Sequence, residues 1–419
     1  MLLPVRQKFP HRAIPDIPAA LRNELAASGL AASLPANSRI AVGVGSRGIS
    51  NLAVIVRGVV DSFRAAGHRP FLFPAMGSHG AGTAAGQASV LAHYGIDEAT
   101  MGCPVVSTFD VVSLGRTERG VEAFAGREAW ESDAIFLVAR VKWHTSFAGT
   151  IESGVCKMMA IGLGKREGAK SVHAHGRNMG MDVAIRSVAA HIIASGKLLG
   201  ALAILEDAFH DTALLAALPA EALIEREVEL LATVKSWMVK IPVAALDVLI
   251  VDEIGKNISG TGMDLKIVNR AVTGQINPWP DTTRIERIFV RDLSPMSSGN
   301  ATGIGVADVL HSRMIPKIDV DAGRVNAATS GSLALVKTPL HYPTDRECFE
   351  LVASTVGKFD ESDLRIAWIR NTLDLEHLAL SENLRPEIER NPALEITGPP
   401  FELAFDAAGE LRQPEYAAA

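Results

Sequence analysis

Between Val141 and Gly176 the chain reads VKWHTSFAGTIESGVCKMMAIGLGKREGAKSVHAHG, with three histidines, a cysteine, four lysines and six glycines. Lys157 precedes His173 by sixteen residues and follows His144 by thirteen. Lys157 lies in the mostly uncharged run ESGVCKMMAIGLG. A poorly solvated lysine there has a lowered pKa and can act as a nucleophilic amine or a covalent anchor. Lys142 and His144 flank Trp143, so strand alternation would send both polar side chains to one side. His173 and His175 suit one ligand facing a site and one facing away. A zinc site needs three or four converging ligands, and HxH with one distant histidine is thin support for it. Each residue taken singly has a plain structural reading, but their clustering points to a site.

Two further loops carry reactive side chains. In GSRGISN, Gly45 to Asn51, a glycine turn follows an apolar run. Ligands of open parallel sheets sit beyond the C-terminal strand ends, where loops present backbone N–H groups. Ser50 or Asn51 is expected to cap the next helix, leaving Arg47 to bind a carboxylate or phosphate with its planar fork. The plainer alternative is a glycine turn with a solvated arginine. The spacing is not that of a Walker loop. In AMGSHGAGT, His79 follows a second apolar run between Gly77 and Gly80 and is placed to move protons near neutral pH. The alternative is a loop histidine bonded to backbone.

The elements that must position these residues read as an α/β series. RIAVGVG, PFLFPAMG and DAIFLVARV are buried strands, while NLAVIVRGVVDSFRAAG, AAGQASVLAHYG and DVAIRSVAAHIIASG carry helical spacing. ALIEREVELLATVKSWMVK reads as an amphipathic helix with its charges outward. ALDVLIVDEIG opens a second series with RIERIFVRDL, GIGVADVL and CFELVASTVG. Such alternation predicts two α/β domains with mostly parallel sheets, residues 1–242 and 243–419, and an active-site cleft between them. A length of 419 residues agrees with more than one domain. The tail after about 390 is expected to be loosely ordered.

Composition narrows the function. Hydrophobic residues are 48% and charged residues 21%, a globular balance, and the net charge of −6 gives no general attraction to nucleic acid or an anionic membrane. Three cysteines without a CxxC pair argue against a disulfide framework or zinc ribbon. MLLPVRQKFPHR has too short an apolar run for a signal-peptide core, and no run has the length of a transmembrane helix. The expected location is cytoplasmic.

In order and spacing these residues resemble the nickel-pincer-nucleotide-dependent lactate racemases. That family's motif has a histidine, an FAG-like turn, glycines, a lysine, and a nickel histidine sixteen residues after it. HTSFAG (His144 to Gly149), Lys157 and His173 match in that order. AMGSH resembles the family's glycine–histidine loop and SRGISN its arginine loop, and the likeness spans roughly residues 35–350. It implies an isomerase, a racemase or epimerase of a 2-hydroxy acid. The implied cofactor is pyridinium-3-thioamide-5-thiocarboxylic acid mononucleotide, bound to Lys157 through a thioamide and carrying Ni(II), with maturation enzymes as partners. His173 is then the nickel ligand, His79 and His144 the acid–base pair, and Ser46, Arg47 and Gly48 the cofactor loop. Arg47 also faces the substrate carboxylate, joined by Lys256, Asn269 and Arg270 from DEIGKNISGTGMDLKIVNR. Two departures touch the substrate pocket: three extra residues between His144 and Lys157, and Val44 where the family has aspartate. The implied substrate is therefore a 2-hydroxy acid without lactate being specified.

The chemistry agrees with that implication. Racemisation must remove a non-acidic Cα hydrogen and return it to either face, which transient oxidation to the keto acid by hydride transfer achieves. Two histidines on opposite sides of the substrate each take the hydroxyl proton of one enantiomer, help worth about 10²–10⁴-fold. Neutral imidazole suits a square-planar Ni(II) centre. Two other readings stand beside this one: a zinc- or iron-dependent hydrolase built on His79, His144, His173 and His175, and a non-catalytic anion-binding homologue.

Overall fold

The computed structural model describes residues 1–45, 48–77 and 79–412. The chain forms two compact units, Pro10–Met238 and a second that joins Met1–Phe9 to the residues from Val239 onward. Both are mixed α/β with mostly parallel sheets.

The first unit has a five-stranded sheet in the order Arg69–Pro74, Arg39–Val44, Ala134–Arg140, Leu198–Glu206, Thr212–Pro219. The first four strands run parallel and the last antiparallel. Their apolar runs reflect burial on both faces. Ile40, Val42, Phe136 and Val138 point into one core cluster, and Ala41, Ile135 and Leu137 into the other. Helix Leu52–Ala65 closes the first face with Leu52, Ile55, Val56, Val59, Val60 and Phe63, the 3–4 spacing of one helical stripe. Each such burial contributes roughly 1.5–3 kcal/mol. Helix Met181–Ala194 covers the second face with Ile185, Val188 and Ile192.

The second unit has an eight-stranded sheet in the order Leu340–Tyr342, Val309–His311, Arg284–Leu293, Ala245–Ile254, Ile366–Ile369, His377–Ser381, Leu2–Gln7, Leu394–Ile396. Five parallel strands are followed by three antiparallel ones. Two expectations change here. The first nine residues belong to this unit, because Leu2–Gln7 pairs with both His377–Ser381 and Leu394–Ile396. The segment after 390 is ordered as far as it is described. It supplies the edge strand, Phe401 exchanges backbone hydrogen bonds with Leu2, and Leu411 is buried. Among the described residues no helix is long and apolar enough to cross a membrane.

Residues 155–179 are helical despite their four glycines. They form a helical turn Val155–Lys157, a π-helical segment Met158–Leu163, and helix Lys165–Met179. Glycine weakens a free helix by about 1 kcal/mol, but this one packs where side chains do not fit. A Cβ on Gly162 would lie 2.4 Å from the Ala75 carbonyl oxygen.

Candidate active site

In the first unit the C-terminal ends of three parallel strands carry the reactive loops. His79 follows Arg69–Pro74 and His144 follows Ala134–Arg140, with Arg39–Val44 between them in the sheet. Two strand spacings separate the histidine-bearing strands by roughly 10 Å. In sequence Ser46–Gly48 follows the middle strand. Ser46 and Arg47 lie outside the described residues. Gly48 is exposed, and its carbonyl accepts a 2.6 Å hydrogen bond from Arg140, which also pairs with Glu206. The expected cap on the next helix is not made. Asn51 occupies the cap position, but its side-chain amide turns to Ser50 Oγ and Thr212 Oγ1.

The π-helical segment packs against these strand ends. The Gly77 amide donates to the Gly162 carbonyl at 3.3 Å, and a Cβ on Gly45 would lie 2.7 Å from Met158 Cε. Where the π segment meets the following helix, Lys165 adopts φ 53°. Its wholly buried ammonium binds Glu128 at 2.9 Å and the Pro74 carbonyl at 2.9 Å. That junction matters for Lys157 and His173. In an uninterrupted α-helix sixteen residues would turn them about 160° apart, but the π segment and the break at Lys165 reset the direction. They come within electrostatic reach: the His173 pKa is lowered first by burial, then by the charges of Lys157 and Arg177. The Lys157 pKa is lowered to about 8, first by burial and second by the charge of Lys142. Lys157 is half-buried, as are His173 and Lys142.

His144 sits in a loop closed by reciprocal backbone hydrogen bonds between Lys142 and Ser153. Trp143 is buried, with Lys142 and His144 half-buried on either side, the alternation the sequence suggested. Glu152, with no exposed surface, holds the loop: it accepts the His144 N–H at 2.6 Å and the Gly149 N–H at 3.2 Å, and pairs with Lys235 at 2.6 Å. Asp182 accepts the N–H groups of Thr150 and Ile151. The His144 ring stacks on Phe147 at 4.2 Å between centroids. Its Nδ1 accepts the Ser146 N–H at 3.1 Å, so the neutral ring carries its proton on Nε2. His79 is exposed, and its backbone is fixed by an N–H to the Met76 carbonyl.

The other candidates fare differently. His175 lies two residues beyond His173 on a helix, where such side chains do not share a face, and its Nδ1 pairs with the Ser171 carbonyl at 2.9 Å. The three cysteines are buried, and burial raises the Cys156 pKa well above the ordinary thiol value, so a thiolate nucleophile does not form there near neutral pH. Lys256, Asn269 and Arg270 belong to the second unit. Lys256 donates to the Gly260 carbonyl at 2.6 Å. Asn269 and Arg270 are each 2% exposed. Asn269 donates to the carbonyls of Trp279 and Thr283 and accepts from Trp279 N–H; Arg270 donates to the carbonyls of Ile285 and Glu286 and pairs with Asp308. Both side chains are bonded within their own unit.

Among the described residues the close group of potential metal ligands is His311, Asp345 and Glu410, not the four histidines of the hydrolase reading. Arg291 and Arg313 already neutralise those carboxylates. His311 Nδ1 accepts the Arg313 N–H, so its Nε2 donates to Glu410 and offers no lone pair.

Sequence reading missed Glu227, placed on the outer face of its helix but only 1% exposed. Leu223, Leu230 and Leu231 mark the buried stripe, and Glu227 falls at helical spacing within it. Its carboxyl accepts the Cys156 N–H at 2.8 Å. Burial raises its pKa from 4.5 to about 7, partly offset by hydrogen bonds from Cys156 and Val155. Because the folded-state value is the higher one, its contribution is fully present below about pH 4.5 and is lost as pH rises through about 7. The wild-type protein should therefore lose stability over that window relative to Glu227→Gln, by a few kcal/mol. Urea midpoints of the two proteins across pH would check this, and parallel curves would refute it.

No protein-family description matches the sequence, and no curated protein is similar to it. Among solved structures, the fold is similar to that of the lactate racemase apoprotein from Thermoanaerobacterium thermosaccharolyticum. The TM-score is 0.51 at 13% sequence identity, over 90% of this chain and 99% of that one. At that identity the likeness concerns the fold.

Proposed function

We propose that the protein is a racemase or epimerase of a small 2-hydroxy acid that works with a lysine-tethered nickel pincer nucleotide. The observation that carries this reading is Lys157, a half-buried lysine with its pKa lowered to about 8, within electrostatic reach of His173. The fold likeness to a lactate racemase apoprotein supports it.

The residues fit the implied group. Lys157 would hold its organic part, because an amine that loses its proton easily is the nucleophile a thioamide requires. His173 would be a nickel ligand, because burial and two neighbouring cations keep its imidazole neutral. When bound, the group would supply a reversible acceptor for the Cα hydrogen. The chain's own residues then manage the proton and the carboxylate. His79 and His144, on loops either side of the middle strand, would exchange the substrate hydroxyl proton. As found here the neutral His144 ring has Nδ1 occupied by the Ser146 N–H, so to take the hydroxyl proton at Nε2 it must change tautomer or release Ser146. Arg47, which follows the middle strand in sequence, would bind the substrate carboxylate through its fork.

Protein from cells able to make the cofactor should convert an enantiopure 2-hydroxy acid to a mixture of enantiomers, followed by chiral chromatography. Cofactor-loaded protein that leaves a broad panel of such acids unchanged would refute the reading. His173→Ala should lower nickel content while sparing the covalent bond, since the lysine holds the organic part and the imidazole supplies one ligand. Metal analysis per mole of adduct measures this, and an unchanged ratio would move the ligand role to another group.

A further inference from the structure

Glu227 is a buried carboxyl that the proton and ligand chemistry above leaves unused, and it reaches the anchoring segment from another element. It extends from helix Leu223–Trp237, and its Oε2 accepts the Cys156 N–H at 2.8 Å. The turn Val155–Lys157 has no capping side chain of its own at Gly154. Glu227, 71 residues away in the chain, supplies the acceptor that a local cap would provide. The approach is so close that a Cβ on Gly154 would lie 2.0 Å from Glu227 Oε1.

Lys157 directly follows the pinned amide, and the π-helical segment begins one residue later. A π turn lies close to an α alternative, and one residue of register rotates a side chain by about 100°. The amide held ahead of the π segment therefore decides where the lysine points. Helix Leu223–Trp237 also carries Lys235, which pairs with Glu152 beneath the His144 loop, so one helix braces both parts of the site.

We propose that Glu227 is a positioning residue for Lys157: its carboxyl pins the Cys156 amide and holds the amine in the orientation found here. The proposal rests on reading Lys157 as the anchor, and the two fail separately. The test uses the full-length, cofactor-free chain, with Lys157 acetylation by acetic anhydride timed by peptide mass spectrometry against the exposed Lys170. Glu227→Gln keeps an acceptor and should stay within about twofold of wild type; Glu227→Met keeps the bulk but not the acceptor and should change the Lys157 rate by about fivefold or more. Gly154→Ala, which pushes the carboxyl away, should behave like Glu227→Met. A merely structural role would lower the melting temperature of these variants and leave the Lys157-to-Lys170 ratio alone, and that result would overturn the proposal. So would a Glu227→Gln protein that behaves like Glu227→Met. If Glu227→Met does not fold, Gly154→Ala against Glu227→Gln makes the same comparison. Separately, intact mass after cofactor loading asks whether Lys157 is the anchor, and its failure would leave the acetylation result standing.

Discussion

Lys157→Ala protein, produced with the cofactor-making enzymes present, is expected to carry no covalent adduct, to show no racemisation, and to fold as the wild type does. At pH 7 an amine with a pKa of about 8 is roughly one-tenth neutral, whereas an ordinary lysine is neutral less than one time in a thousand. Lys157 thus starts with a nucleophile fraction over a hundredfold larger than that of an ordinary lysine. Its low pKa also says that its charged form is poorly solvated. Removing the ammonium should therefore not destabilise the fold by more than about 1 kcal/mol. Lys157→Arg separates charge from chemistry, since it keeps a cation and has no amine to condense; it should fail as completely as alanine. Intact mass, peptide mapping and a melting curve read all three expectations. An adduct that persists on another lysine of the mutant would sink the assignment.

How far this site could be read from sequence depends on which forces placed each part. The strands ending at Val44, Pro74 and Arg140 are apolar runs closed by glycine or polar residues, and burial on both faces leaves such runs few other options. The helices with a regular apolar stripe were equally readable. The segment 155–179 was not, because local propensity and tertiary packing disagree there: glycines that read as a loop are what allow the helix to touch Ala75 and its neighbours. Sequence spacing pointed to Lys157 and His173, but the π segment and the break at Lys165, which bring them within reach, leave no periodic signal. Asn269 and Arg270 show a different difficulty. A polar residue in a glycine-rich stretch reads as a ligand for something, and here the ligands are the chain's own carbonyls. Glu227 was hidden in a helix whose Glu225, Arg226 and Glu229 do face outward. The leading strand Leu2–Gln7 could not be assigned to a unit from sequence, because its partners lie at positions 377–381 and 394–396.

The two histidines should divide the work unequally. If His79 and His144 flank the substrate, each turnover visits both, so His79→Ala and His144→Ala should each abolish racemisation in both directions. The first half of the reaction, loss of the Cα hydrogen and the hydroxyl proton from one enantiomer, would need one base only. Each mutant should therefore retain that half-reaction with one enantiomer, and the preferences should be opposite. The geometry adds an order to this. His144 is held as the Nε2–H form by the Ser146 amide, which must be disturbed before the ring can take a proton at Nε2. His79→Ala, left with His144 as its base, should accordingly run the slower of the two surviving half-reactions. Single-turnover spectra of loaded protein with each pure enantiomer would measure both rates, and ¹⁵N resonances of His144 would report its tautomer directly. Equal loss with both enantiomers in His144→Ala would mean that its loop does not bring the ring to the substrate, and Lys142 would be the next residue to replace. A His144 resonance showing Nδ1–H would remove the argument for unequal rates while leaving the opposite preferences to be tested on their own.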